Sequence, residues 1–407
     1  MKNKNLVTIA VCVGLLVPKF AQSQNFSGDG SSENPFQIAT AGHLAALAEE
    51  VNGGKNYTKM HFVQTADIDL ASYGENWNEG KGWIPIGHSN NARFLGNFDG
   101  AGYKISNLFI SHEGYDNTGL FGYVYGGKVK NVGVVDAVIT GSKNVGCVSG
   151  TVGFNGEILN CYAIGNVKGS GDGIGGVAGM VRSAPMGVAR SNITNCYSIC
   201  GVTGNNGVGG VAGIVMESTV KNCYATGTVS GNERVGGIAG SIIGGTGRSI
   251  AHSYATGAIN GVRYVGGIAG FIRGGSIGGP STGGVSFFVI SDCVALNPNV
   301  SGSRNVARVV AGISGSTPKN NWALISQQVM VGGKPKAKLA NTEQGLDGGD
   351  LYVGTEKTES WWSDGVFKEI WGTTDDAPWQ WNNDLSRPIL YWQLPKTDIH
   401  GEQKSEI

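Results

Sequence analysis

From about Val145 onward the chain alternates two kinds of stretch. One is nearly all small or apolar, as in Val208-Gly-Gly-Val-Ala-Gly-Ile-Val; the other alternates apolar with polar positions, as in Val220-Lys-Asn-Cys-Tyr-Ala-Thr-Gly-Thr-Val-Ser-Gly. Alternation with a period of two predicts a half-buried strand, and a run of small residues predicts a strand packed on both sides. Copies of the first phrase begin at Val145, Ile174, Val208, Val235 and Val265, with a degenerate one near Val306 and a related Gly119-Leu-Phe-Gly ahead of them. The intervals are 29, 34, 27, 30 and 41 residues. A unit of that size buries its apolar face only against its neighbours, so the pattern predicts an all-β stack with two to three short strands per unit, wound in parallel as a β-helix. The two longest intervals predict loops expelled from the stack, at Met180–Arg190 and Arg273–Gly284.

The flanks read differently. Leu44, Leu47, Ala48 and Val51 follow helical spacing, Thr40 suits the N-cap and Gly53-Gly54 the stop, so residues 40–53 are expected to form a short N-terminal capping helix over the first open edge. Between His61 and Ile110, strands of about 4–6 residues are expected between Gly, Asn and Asp turns. The tail from Lys334 holds six of the nine tryptophans, Trp361, Trp362, Trp371, Trp379, Trp381 and Trp392. They predict a C-terminal plug for the far end of the coil, since terminal repeats are atypical, or alternatively an aromatic platform for a sugar ring.

Lys2 and Lys4, the apolar run Leu6–Val17 and Ala21-Gln22-Ser23 read as a secretory signal, so the mature chain is expected to begin at Gln24. No later run approaches the 18 or so apolar residues of a membrane span. The expected divisions are a signal at 1–23, cap and first coils at 24–118, repeats at 119–335, a C-terminal cap at 336–395 and a flexible tail at 396–407. Sixty-nine glycines with only 11 prolines and no triplet period exclude collagen and imply tight turns in every unit. Thirty basic and 30 acidic residues cancel, which makes nucleic acid an unsuitable partner. Cys161, Cys196, Cys223 and Cys293 share one repeat position, with Ser253 taking the slot once; a serine there predicts a file of small buried side chains and free thiols rather than disulfides.

Asn222-Cys-Tyr-Ala-Thr-Gly-Thr-Val-Ser-Gly followed by Val235-Gly-Gly-Ile-Ala-Gly resembles the GLUG-motif family of bacterial secreted proteins, and Gly119-Leu120-Phe121-Gly122 echoes its name. Ala41-Gly-His-Leu-Ala-Ala-Leu-Ala, Trp83-Ile-Pro-Ile-Gly, Phe98-Asp-Gly and Arg387-Pro-Ile-Leu-Tyr-Trp-Gln extend the likeness over nearly the whole mature chain. The resemblance implies a right-handed parallel β-helix of adhesin-like surface proteins, also found beside IgA1-cleaving metallopeptidases, and no catalytic residues.

Chemistry is otherwise sparse. The six histidines contain no pair four apart, and His112-Glu113 is followed by Asp116 where a zinc-binding His-Glu-x-x-His would need its second histidine. Asp67 with Asp69, and Asp375 with Asp376, are the carboxylate pairs a polysaccharide-processing β-helix could use, but a polar strand edge and a solvated loop explain them as well. Asp29 with Glu33 supplies too few oxygens for calcium. Leu394-Pro-Lys-Thr-Asp398 lacks the glycine and the following apolar run of a sorting signal. The expectation is therefore an exported, extracellular or cell-surface (or periplasmic) binding or adhesion protein, not an enzyme, with no cofactor and no metal. Its partner would be a protein or glycan on a cell surface. The alternative is carbohydrate binding through the tail, with Trp361 and Trp362 as the ligand-binding residues.

Overall fold

Every copy of the apolar phrase hydrogen-bonds to the next. In the computed structural model, which describes residues 26–394 apart from 184–189, 245–248, 275–289 and 338–341, Val145 pairs with Ile174, then Val208, Val235, Val265 and Val306 follow in parallel register. The period read from the sequence is thus the turn of a parallel solenoid. The expected signal segment 1–23 and tail 396–407 lie outside the described residues.

One turn illustrates the path. Asn206–Gly209 leads into Ala212–Met216, then Thr219–Lys221, Tyr224–Ala225 and Val229–Ser230, before Glu233–Gly236 starts the next turn. That is five short segments rather than the two or three expected, because corners made by single left-handed residues cost so little chain. Asn131, Asn160, Asn195 and Asn222 all turn at φ 53–54°, with His252, Asp292 and Asn320 at 49–56° in the following turns. Asparagine tolerates this region and can bond its neighbours from it.

Stacking these segments makes, among the described residues, a nine-stranded sheet from Phe36–Ile38 to Ile290–Ser291 and a seven-stranded sheet from Phe121–Tyr125 to Val310–Ser314. A five-stranded sheet runs from Asp172–Gly175 to Arg304–Ala307. The last face carries two columns side by side, joined through the long strands Gly133–Gly141 and Tyr162–Gly169, so it forms an open flank and not a barrel. Inward side chains stack in files that exclude water, such as Val129, Ile158, Ile193, Val220, Ile250 and Ile290.

The cysteine file is present. The Cys161 N–H donates to Cys196 Sγ at 3.4 Å, and the Cys196 thiol donates to the Thr194 carbonyl at 3.1 Å. Two turns on, the Cys223 N–H donates to Ser253 Oγ at 3.1 Å and that hydroxyl donates to the Ala251 carbonyl at 2.8 Å. The slot needs a small group that donates along its own turn and accepts from the turn before, which is why serine serves. Burial pushes the Cys161 and Cys196 thiols well up, which keeps them protonated donors. All six cysteines from Cys147 to Cys293 are free and buried.

Glycine has a second role besides turns. A Cβ on Gly213 would lie 2.2 Å from the Ile174 nitrogen and one on Gly209 2.1 Å from the Ala212 carbonyl oxygen, so these positions let neighbouring backbones meet. The helix spans Ala41–Asn52, capped by the Thr40 hydroxyl accepting from the His43 N–H, and its buried Leu44, Leu47, Ala48 and Val51 join the first layer of the core. Asn52 anchors it: its side-chain oxygen accepts from the Gly87 and His88 N–H groups.

The loop boundaries expected from the intervals are shifted. Met180–Arg182 belongs to the strand Ala178–Arg182, and Arg273 closes the strand Ala269–Arg273. Both strands run on through the expected loop starts because their inward Val181 and Ile272 continue a core file. Most of each expected loop, 184–189 and 275–284, lies outside the described residues.

Candidate functional site

Among the described residues, two of the outer surfaces hold stacks of side chains that run across several turns. The first is a column of rings. In each Asn-Cys-Tyr copy the cysteine points inward, so the tyrosine beside it points out. Tyr162, Tyr197, Tyr224 and Tyr254 stack at centroid distances of 5.1, 4.9 and 5.0 Å with planes within 8° of parallel. In register beyond them follow Val294 and Trp322.

The tryptophan-rich tail covers this column. After Gly349–Leu351 the chain reverses along the flank: Trp361 meets Trp322, Trp362 and Trp379 meet Tyr254, and Trp392 stacks on Tyr197 at 5.6 Å. Polar contacts fix the register. Tyr254 donates to the Pro388 carbonyl at 2.8 Å, Gln393 Nε2 to Tyr224 at 2.7 Å, and Asn160 and Asn195 to the Asp375 carboxylate and carbonyl, each at 2.9 Å. The tail therefore lies along the side of the coil, where the sequence suggested a plug at its end. Four outward tyrosines at one repeat position were the available signal, since a ring column that large needs a cover.

The same packing removes the expected sugar platform. Trp362 has no exposed surface, and its ring stands at 86° to that of Trp361, 4.9 Å away. The indole nitrogen of Trp362 donates to the Glu356 carbonyl at 2.8 Å. Trp362 thus sits in the core of the flank, with the partly exposed Trp361 packed edge-on against it, and the two do not offer a pair of coplanar faces to a ligand.

The carboxylates considered for catalysis hold turns. Asp67 accepts from the Lys104 N–H, and Asp69 accepts from Ala71 N–H and the Asn107 amide, which keeps its pKa below the usual range. Asp375 is engaged as described above. Asp29 accepts from the Ser31 N–H within its own turn. Among the described residues no group of three or more His, Cys, Asp or Glu could hold a metal ion.

The second surface was not read from the sequence. At the edge of the seven-stranded sheet Tyr125, Gly153 and Arg182 are in register, and Gly153 makes room for the neighbouring ring of Tyr123. Four side chains stack across successive turns. The Arg93 guanidinium sits 4.4 Å from the Tyr125 ring, Tyr125 stacks on Phe154 at 4.5 Å, and the Arg182 guanidinium lies 5.2 Å from Phe154. Both guanidiniums also flank Tyr123, at 5.4 and 5.8 Å. Phe154 holds its place at φ 52°, a conformation bulky residues avoid, and its N–H donates to the Arg182 carbonyl at 3.1 Å. These residues fall outside the repeat consensus, so period and alternation carried no sign of them.

Comparison with known proteins agrees with this architecture. Halomucin of Haloquadratum walsbyi is 35% identical over 158 residues, 38% of this chain and 2% of halomucin. A protein of Evansella cellulosilytica named "Putative Gly-rich membrane protein" is 34% identical over 146 residues, 35% of this chain and 16% of that one. The chain thus spans only a small part of both relatives. The crystal structure of a protein titled "putative immunoglobulin A1 protease", from Bacteroides ovatus, superposes with a TM-score of 0.59 at 22% identity, covering 90% of this chain and 95% of the other, and so shares the fold. Residues 204–230, one full turn from Asn206–Gly209 to Val229–Ser230, match the GLUG motif. The GLUG-motif match thus falls on one unit in the middle of the ladder.

Proposed function

We propose that this chain is an exported, non-catalytic binding protein of the cell surface, an adhesin-like scaffold that presents ligands with the outer rows of a rigid right-handed β-helix. The observation that carries the reading is the unbroken register from Val145 to Val306, which fixes every outer side chain at a spacing of about 4.8 Å along the coil. Such a surface favours multivalent contact over the enclosed pocket that catalysis needs. Similarity to halomucin and to a protein named for the membrane supports a surface location, and no helix among the described residues is long and apolar enough to cross a membrane. In this reading the helix Ala41–Asn52 closes the N-terminal end, and the tail from residue 336 shields the tyrosine column.

Purified residues 24–407 are expected to bind immobilised host-cell or mucus surfaces reversibly, and to leave added polysaccharides and IgA1 intact on gels after prolonged incubation. Cleavage of either substrate would replace this reading with an enzymatic one.

A further inference from the structure

The guanidinium stack is a site without an assigned ligand. Neither Arg93 nor Arg182 takes part in an ion pair with a described carboxylate. The internal segments outside the described residues, 184–189, 245–248, 275–289 and 338–341, contain no Asp or Glu that could supply one. A guanidinium also carries the paired terminal Nη1 and Nη2 groups, and that end-on fork can grip a carboxylate with two bonds.

Beneath the stack the Tyr123 hydroxyl, in a side chain only 3% exposed, faces the Arg182 guanidinium, and the Nε atoms of Arg93 and Arg182 are hidden and unpartnered. Buried polar groups normally find partners, so two unpartnered guanidinium nitrogens in one cluster mark an unfinished hydrogen-bond set.

We propose that Arg93 and Arg182, spaced by Tyr125 and Phe154, bind the carboxylates of an acidic polysaccharide. The two cations sit at fixed positions on one edge of the ladder with flat rings between them. A polymer of uronic acids repeats its carboxylates at constant spacing and lays sugar C–H faces against ring edges, whereas an acidic peptide would first have to be ordered. The proposal deepens the surface-binding reading and rests on it.

The test is calorimetric titration of residues 24–407 with hexagalacturonate, with a neutral galactose hexamer and hexaglutamate as comparisons. Hexagalacturonate is expected to bind and to weaken as salt rises, the neutral hexamer not to bind, and the paired substitution Arg93→Gln with Arg182→Gln to weaken binding by about tenfold or more with an unchanged melting temperature. A melting temperature lowered by the paired variant directs the comparison to Arg93→Lys with Arg182→Lys, which keeps charge but loses the fork and is expected to bind at least several-fold more weakly. Unchanged affinity in both variants, no binding of hexagalacturonate, or equal binding of hexaglutamate overturns the assignment. Cell-surface binding that survives the paired substitution sinks this site alone; failure of the unaltered protein to bind any surface sinks the broader reading.

Discussion

Gln393 reaches across the flank to donate its amide to the Tyr224 hydroxyl at 2.7 Å, joining residues 169 apart in sequence. The tail is thereby registered against a particular turn of the coil. The contact next to it, Tyr254 to the Pro388 carbonyl, repeats the arrangement one turn further on.

The first prediction concerns this cover. Trp362→Ala and Trp379→Ala each remove a fully buried ring against Tyr254 and should each cost about 3–5 kcal/mol. Trp361→Ala, at a half-exposed position, should cost clearly less. Urea unfolding followed by tryptophan-independent circular dichroism reads the order. A Trp361 variant as unstable as the Trp362 variant contradicts the packing.

Glycines separate in the same way by neighbourhood. Gly213→Ala forces a Cβ to within 2.2 Å of the Ile174 backbone nitrogen and should prevent folding or cost several kcal/mol, on the order of an overpacked core or more. Gly114→Ala, at an exposed position where the added Cβ meets nothing closer than His112 at 3.4 Å, should lie within about 0.5 kcal/mol of the parent. Comparable losses at both positions would show that turns, and not backbone contact, explain the glycine content.

Thiol chemistry tests the file. The chain from Gln24 carries six cysteines, all free and buried, so a thiol reagent should find six after denaturation and almost none before. Ser253→Cys should fold with little loss, because the slot asks only for a small donor-acceptor. Cys223→Val should cost about 1–3 kcal/mol, since the Lys221 carbonyl loses the thiol that donates to it at 3.1 Å. Fewer than four reactive thiols after denaturation would mean disulfides between turns.

Acid stability should depend on Asp99. Burial pushes its carboxyl up, but Lys130 at 2.8 Å and the Asn131 amide at 2.9 Å outweigh that and hold the pKa below the ordinary 3.8. A carboxylate with a depressed folded-state pKa stabilises the fold above its unfolded value, and the contribution disappears as pH falls through the folded value. Asp99→Asn should therefore lower the urea midpoint at pH 7 and narrow the gap between pH 7 and pH 3. An unchanged gap rules out this residue as a source of the acid loss.

Period and alternation by themselves determined the solenoid, the stacking partners from Val145 to Val306, the helix at Ala41–Asn52 and the cysteine file. These are legible because neighbouring turns repeat one environment, so each copy reports the needs of the next. What lay beyond the repeat was decided only in three dimensions. The tail shares no period with the coil, and nothing local distinguishes a plug at the end from a cover on the flank; the outward column of Tyr162, Tyr197, Tyr224 and Tyr254 made the choice. Likewise Arg93, Tyr125, Phe154 and Arg182 follow one another at about 28 to 32 residues with no shared motif, and only the register of successive turns brings their side chains into one stack.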